Sequence, residues 1–420
     1  MASVFDSAKD ADSEELGTRV AKPRRAAPAD AVRPTRAEIN LDNLRHNLRV
    51  VERALAPDAK EGAAAAQIWA VLKADAYGHG APATARTLER AGAAGICVAL
   101  LEEAIELREA GIRVPILVMG GYYGPQHRGL EELDEHALTP VVYHPEQIDK
   151  LVRIARARDR KEPIPIHVKV DPGMSRLGVR ASEASEVLEL CAATPEVRVD
   201  GLMSHLACAD APDLEPTRVQ LRLFERVRRR AAELRLSPRF HHIANSAAAF
   251  RLDASRLDAV RPGIALYGVP SHAASEGDPV ERLRPVMRVR SEIVALRTLE
   301  DGDAVGYGHT YVARGRRTIA TIPMGYADGL SRALSNRGHV LVRGRRAPIA
   351  GVVSMDLTSI DVTDIPMVRV GDEAVVLGRQ EGPLGADTIT AVEIASHVGT
   401  IPWEVLTHIS RRVPRFYREP

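Results

Sequence analysis

Lys73, Lys169, His205, Asn245 with Ser246, and Arg261 each stand within or just beyond a short apolar run. A lysine whose stem is kept dry can lose its proton and form an imine with an aldehyde. Lys73 follows Ile68-Trp69-Ala70-Val71-Leu72 without a polar spacer, and Asp75, Tyr77 and His79 come next. Gly78 and Gly80 let the backbone there bend around a ligand. In Arg261-Pro262-Gly263-Ile264 the proline suits the first turn of a helix, and Gly263 and Ile264 can present backbone N–H groups to an anion. A reactive lysine and a phosphate seat suggest pyridoxal phosphate, an aldehyde bearing a phosphate, although the spacing alone also admits other phosphorylated ligands. Each residue has a plainer role too. Lys73 suits a surface lysine, His205 a satisfied buried histidine, Asn245 and Ser246 a helix cap, and Asp171 a turn before Pro172.

These residues need a frame that brings separate strand ends to one rim. Eight apolar runs alternate with amphipathic stretches: 67–72, 96–100, 116–119, 140–143, 166–170, 199–204, 241–244 and 258–261. Helical spacing occupies 82–91, 101–110, 145–157, 182–192 and 217–234 between them. Such alternation marks parallel strands joined by crossover helices, and eight units in about 220 residues match a (β/α)8 TIM-type barrel. In that fold the catalytic groups come from the C-terminal ends of the strands, where the polar residues fall. A first helix over 41–55, with Asp42 as its cap, opens the domain.

Beyond Pro270 closely spaced strands take over at 286–296, 318–323, 339–342, 349–354 and 373–377, and helical spacing returns over 388–410. The chain therefore divides into an arm at 1–32 without apolar period, a strand at 33–41 joining the C-terminal domain, a barrel at 42–272 and a β-rich domain at 273–420. With 57 Lys and Arg against 56 Asp and Glu, the net charge of +1 offers no field for holding nucleic acid. No apolar run suits a membrane span or signal peptide, so a soluble, cytoplasmic protein is expected. Cys97, Cys191 and Cys208 are too few and too scattered for a disulfide framework or a metal site. Of nine tyrosines, Tyr77, Tyr123, Tyr267 and Tyr307 each precede a glycine and Tyr326 follows one, which places tyrosine at turns near a cleft.

From Arg33 nearly to the C-terminus the sequence resembles the alanine racemase family. The motifs that carry the resemblance are RPTRAEINLDNLRHNL (33–48), AVLKADAYGHG (70–80), KVDPGMSRLG (169–178), HIANSAA (242–248), RPGIALYG (261–268), VGYGHTY (305–311), PMGYADG (323–329), SMD (354–356) and SRRVPR (410–415). The resemblance implies a head-to-tail homodimer that interconverts L-alanine and D-alanine with pyridoxal 5'-phosphate, supplying D-alanine for peptidoglycan. Lys73 then forms the imine and serves as one base, and Tyr307 of the opposite subunit serves as the other. Two bases on opposite faces of a flat carbon are what inversion requires. His205 matches the residue beside the cofactor ring, and Arg261 the partner of the pyridine nitrogen. A guanidinium leaves that nitrogen unprotonated, which weakens the electron sink and favours racemisation over transamination. Tyr77, Ser246, Gly263 and Ile264 match phosphate contacts, with Asn245 beside them. Arg176 and Met355 match residues that hold the substrate carboxylate. Lys169 matches a position often carbamylated in the family, and Asp171, Tyr311, Tyr326 and Asp356 match its supporting and entrance residues.

One position departs from the family pattern. A tyrosine whose hydroxyl reaches the cofactor phosphate is usual where this chain has Trp403. An indole N–H donates but cannot accept, and its bulk differs. The alternatives to an alanine racemase are a serine or broad-specificity racemase on the same scaffold and a non-catalytic pyridoxal phosphate carrier. Such carriers lack the second domain, so Tyr307 and Met355 argue against that reading. The stretch at 120–124 has no assigned role.

Overall fold

The computed structural model describes residues 31–56, 65–121 and 128–418. The expected arm lies outside these residues except for its last two, as do Tyr122, Tyr123 and Gly124 of the glycine-tyrosine stretch. Strand β1 (Arg36–Asn40) leads directly into helix α1 (Leu41–Leu55). Leu41, Leu44, Leu48, Val51 and Leu55 recur at helical spacing and are all buried. Asn40 caps this helix, accepting from the Asn43 N–H at 3.0 Å, so the expected cap at Asp42 is corrected by two positions. Asp42 instead sits in the first turn, where its charge suits the helix dipole.

The barrel strands are β2 (Gln67–Val71), β3 (Gly95–Val98), β4 (Ile116–Val118), β5 (Thr139–Val142), β6 (Ile164–Asp171), β8 (Val197–Met203), β9 (Phe240–His242) and β10 (Ala259–Val260). They pair in parallel in the order β10-β2-β3-β4-β5-β6-β8-β9, and the short β7 (Val179–Arg180) adds to β6. Backbone bonds from Asp258 N to His241 O (3.1 Å) and from Arg261 N to Ala244 O (2.9 Å) link the last two strands. Strands covered on both faces need apolar runs, and Gly95–Val98, Ile116–Val118 and Val168–Val170 are buried throughout. Between the strands lie α2 (Ala81–Arg90), α3 (Leu101–Glu109), α4 (Arg128–Glu135), α5 (Pro145–Ala157), α6 (Ala184–Ala193), α7 (Glu215–Glu233) and α8 (Ser246–Arg251). Helix α4 is absent from the sequence reading because its eight residues hold only two large apolar side chains, Leu130 and Leu133, too few to show a helical period.

In the second domain β1 is flanked by β11 (Met287–Glu292), antiparallel, and β21 (Arg415–Arg418), parallel. The main sheet runs β17-β16-β19-β11-β1-β21, with β16 at His339–Val342, β17 at Arg345–Pro348 and β19 at Glu373–Gly382. Strand β20 (Gly385–Ile389) folds back on β19, which continues five residues beyond the expected end at Leu377. A second sheet holds β12 (Ala295–Leu299), β15 (Arg317–Ile322) and β18 (Thr358–Asp361), and β13 (Ala304–Val305) pairs with β14 (Tyr311–Val312).

Two expectations are corrected here. The single strand over 286–296 is two strands, because at Ile293 and Val294 the chain changes partners from Asp372 to Thr321 and passes into the other sheet. The strand over 349–354 is not formed. Ile349 alone bridges Ile360, and Ser354 donates to Leu357 O to close a loop before β18. Helices α9 (Ala391–Val398) and α10 (Pro402–His408) form within the stretch where helical spacing is expected, but the domain ends on β21, a strand the sequence reading does not place. Among the described residues no helix is long and apolar enough to cross a membrane.

Gly268 separates the consequences of backbone strain and crowding. Its φ is +80°, and a Cβ there would lie 1.9 Å from Arg284 O, whereas at Gly277, also at φ +80°, nothing lies within 4 Å. Gly277→Ala is expected to cost about 1 kcal/mol, and Gly268→Ala more than about 3 kcal/mol because backbone must move as well. Denaturant unfolding of both variants measures the difference.

Candidate active site

The strand ends converge as the alternation implies, and the most unusual backbone comes directly after β2. Ala74, Asp75, Ala76 and Tyr77 all have φ between +53° and +56°, so Lys73 begins a left-handed turn. An L-residue in that region costs roughly 1–2 kcal/mol, so four in succession need strong anchoring. Asp75 Oδ1 accepts from Ala81 N at 2.8 Å, and the His79 ring Nδ1–H is shared between the Ala76 and Tyr77 carbonyls. Arg415, buried on β21, donates through Nε to Gly78 O at 3.0 Å and so ties the second domain to the turn. Gly78 sits at φ +80° and passes so close to α10 that a Cβ would lie 2.4 Å from Leu406 O. Burial lowers the Lys73 pKa, Arg176 lowers it further, and Glu103 opposes the shift.

Across the rim Arg261 is only 3 % exposed, with its guanidinium enclosed by histidines and carbonyls. Nη1 donates to His242 Nδ1 at 2.6 Å and His242 O at 3.0 Å, and Nη2 donates to Ser204 O at 2.5 Å and reaches His205 Nδ1 at 3.5 Å. Because a guanidinium only donates, His242 must carry its proton on Nε2, which points at His167 Nδ1 at 2.8 Å. All three rings stay neutral. Burial, reinforced by the Arg261 charge, takes His205 and His167 down to about 3 and His242 well below its usual range. Gly201 makes room for this chain, since a Cβ there would lie 2.4 Å from the His167 ring. Burial brings Arg261 down to about 10, which still leaves it charged at neutral pH.

Lys169 lies within β6 and is 7 % exposed. Burial and then Arg261 and Arg176 bring its pKa down to about 8, with Asp171 opposing the shift. Asp171 Oδ1 accepts from Gly173 N at 2.8 Å and Met174 N at 2.7 Å, so it also builds the turn leading to the exposed Arg176.

The expected anion seat has a different backbone from the one its proline implied. Pro262 stays in the extended segment, its carbonyl accepting from Val71 N at 3.0 Å, and a 3-10 turn starts at Ile264 with Gly263 as its cap. Asn245 caps α8 by accepting from Ala248 N at 3.0 Å, while Ser246 Oγ accepts from Gly263 N at 2.9 Å and Ala265 N at 3.4 Å. A Cβ at Gly263 would lie 2.3 Å from Tyr77 Oη, so only glycine leaves that hydroxyl its place. Burial raises the Tyr77 pKa, which keeps the hydroxyl a donor. The Ser246 and Tyr77 hydroxyls beside a bare glycine backbone suit a phosphate, and Lys73 and Arg261 suit the aldehyde and ring nitrogen of pyridoxal phosphate.

The second domain holds the remaining expected residues. Tyr307 is 74 % exposed and Met355 52 %, both on its surface, with Tyr326 exposed nearby and Tyr326 N bonded to Ser354 O. Asp356 pairs with Arg412 at 2.7 Å. The Tyr311 hydroxyl is committed to Asp361 at 2.7 Å, and its pKa is raised to about 12 by burial and that bond. Trp403 is half-buried on α10, the helix that packs against the Lys73 turn. Sequence reasoning assigned no role to Glu103, His167, His242 or Arg415. Glu103 looks like an ordinary helical glutamate, and the histidines sit inside strand runs where a core role is the default.

Family models describe the two halves of the chain separately: the alanine racemase N-terminal domain matches residues 39–271 and the C-terminal domain residues 286–417. An alanine racemase from Sorangium cellulosum is 62% identical over 389 residues, covering 93% of this chain and 100% of that protein. One from Halothermothrix orenii is 42% identical, covering 92% of this chain and 97% of its own length. Among solved structures, alanine racemase from D-cycloserine-producing Streptomyces lavendulae superposes with a TM-score of 0.82 at 36% identity over 93% of this chain and 98% of that one. The alanine racemase of Bacillus anthracis with bound L-Ala-P gives 0.81 at 32% identity over 93% and 96%. With both domains matched and the strand-end lysine, buried arginine and glycine-lined seat on one rim, this chain belongs to the alanine racemase family.

Proposed function

We propose that the protein interconverts L-alanine and D-alanine with pyridoxal phosphate carried on Lys73, each site being completed by Tyr307 and Met355 of a second copy. The observation that carries this reading is one rim holding both a lysine of lowered pKa and, in Arg261, a buried guanidinium enforced by neutral histidines. When bound, pyridoxal phosphate delocalises charge from the α-carbon of the attached amino acid and so makes its proton removable.

The protein's own groups decide where that proton goes and from which side one returns. Arg261 presents N–H to the ring nitrogen and cannot surrender a proton, which limits the delocalisation and leaves the carbon basic. Lys73 Nζ exchanges a proton on one face of the α-carbon and Tyr307 Oη on the other, so removal by one and return by the other inverts the centre. Tyr77, Ser246, Gly263 and Ile264 hold the phosphate, with Asn245 fixing the helix start beside them. Arg176 and Met355 hold the substrate carboxylate. A carbamate on Lys169, formed when the neutral amine that its depressed pKa makes available adds to carbon dioxide and releases a proton to solvent, orients Arg176 with an anion where an ammonium would repel it. Tyr326, Tyr311 and Asp356 shape the mouth.

The dimer reading rests on exposure. Tyr307, Val312, Tyr326, Met355 and Leu357 are large apolar side chains left open on the second domain, as a surface awaiting another subunit would be. A broad-specificity racemase is the second reading, favoured by Trp403 at the position where a tyrosine is usual.

Purified protein is expected to be yellow, borohydride is expected to fix the cofactor to Lys73 by peptide mapping, and chiral analysis is expected to show L-alanine and D-alanine approaching equal amounts. Label on another lysine, or no change of enantiomer, overturns the reading. Tyr307→Phe and Lys73→Ala homodimers are each expected to lose at least about a hundredfold in turnover. After subunit exchange, mixing them should restore about one quarter of the parent activity, since half the dimers are hybrids with one intact site. No recovery in demonstrably hybrid dimers excludes a shared site. Trp403→Tyr is expected to tighten cofactor binding or change the serine-to-alanine ratio, and unchanged values for both show that the position is silent.

A further inference from the structure

We infer that Glu103 is a positioning residue for Lys73: its carboxylate bridges the end of β3 to the first backbone amide of the left-handed turn and so aims the lysine into the rim. The inference rests on the reading of Lys73 as the cofactor lysine. Glu103 occupies the third position of α3, where a glutamate ordinarily reaches back to the amide that opens its own helix. It does this with Oε2, which accepts from Ala99 N at 2.9 Å and Leu100 N at 3.1 Å. The other oxygen has left the helix altogether. Oε1 accepts from Ala74 N at 2.6 Å, 29 residues earlier in the chain and next to Lys73.

The turn's own bonds do not serve that amide. They run from Ala76 N to Leu72 O, Gly78 N to Ala74 O, His79 N to Ala76 O and Gly80 N to Asp75 O. Ala74 begins the run of left-handed residues, so the Glu103 bond acts where the chain leaves β2 and commits to its strained course. A simple cap needs one carboxylate oxygen on its own helix, and the second reach is what marks Glu103 as a positioner. Glutamine has one accepting oxygen, and its amide group would face an N–H donor on one side. Aspartate is one methylene too short to span both strands.

Glu103 also sets the charge around the lysine. Arg176 and Lys169 present positive charge to the Lys73 amine and His205 a neutral ring, whereas Glu103 presents negative charge. Removing that charge disfavours a protonated nitrogen at Lys73 Nζ, so the pH midpoint of the holoenzyme's visible absorbance should move to lower pH.

Glu103→Gln, Glu103→Asp and Glu103→Ala holoenzymes test the proposal beside the parent. Loss of a charge-assisted bond to the Ala74 amide is expected to weaken cofactor binding at least about tenfold in Glu103→Gln, with the absorbance midpoint lowered and near-ultraviolet circular dichroism retained. Amide exchange in the unaltered holoenzyme needs no variant, and Ala74 N–H should exchange far more slowly than exposed loop amides. Cofactor affinity within twofold of the parent together with an unmoved midpoint in Glu103→Gln reduces Glu103 to a helix cap and overturns the proposal. Fast exchange at Ala74 does the same. Failure of the underlying reading shows separately, as borohydride label absent from Lys73 in the parent.

Discussion

Four left-handed residues after β2 are the constraint around which the site is organised. A barrel strand normally hands its chain to a right-handed helix, yet here the backbone first turns the opposite way and Lys73 stands at the point of reversal. Of the side chains in that run only Asp75 anchors the turn by a hydrogen bond of its own, and the other anchors come from outside it. Asp75 reaches forward to Ala81, Glu103 comes from the neighbouring barrel unit, and Arg415 and Leu406 come from the second domain. Both domains therefore meet behind one lysine, and the β-rich domain supports the barrel's chemistry besides offering Tyr307 and Met355 on its outer surface.

The buried Arg261 guanidinium imposes the second constraint. A permanently charged group that is 3 % exposed must have its donors satisfied, and the surroundings meet that demand with neutral acceptors instead of a carboxylate. A carboxylate would have paired the charge more strongly. Neutral imidazoles and carbonyls leave more of it directed into the rim, where a ring nitrogen belongs in the proposed complex. The His242 to His167 contact extends the same logic, because fixing one tautomer fixes the next.

Much of the architecture was legible because its signals are local. The eight strand runs appear in order, each within a few residues of its expected place, since a parallel strand buried on both faces must be a short apolar run. Lys73, Lys169, His205, Ser246 and Arg261 were legible for the same reason, as polar residues interrupting or ending those runs. The errors have physical causes. The stretch 286–296 is continuously strand-like, but it changes sheets at Val294, and no local pattern encodes a change of partner. Residues 349–354 have strand composition, yet beyond the Ile349 bridge to Ile360 the chain turns back through the Ser354-to-Leu357 bond and forms no strand. Pro262 looked like a helix start and instead seals the barrel against Val71.

By itself the sequence determined the barrel, the β-rich domain, the family and the types of group at each strand end, because periodicity, turn residues and motif order are properties of neighbours along the chain. Only the tertiary structure decided that Glu103 spans two barrel units, that Arg261 is enclosed by His242 and His205, and that Gly263 lies against the Tyr77 hydroxyl. Those contacts join residues from 19 to 186 positions apart, where nothing in either local stretch specifies the other. Direction also belonged to the fold: a left-handed turn reverses where a lysine points, and the run Ala-Asp-Ala-Tyr carries no glycine to announce it.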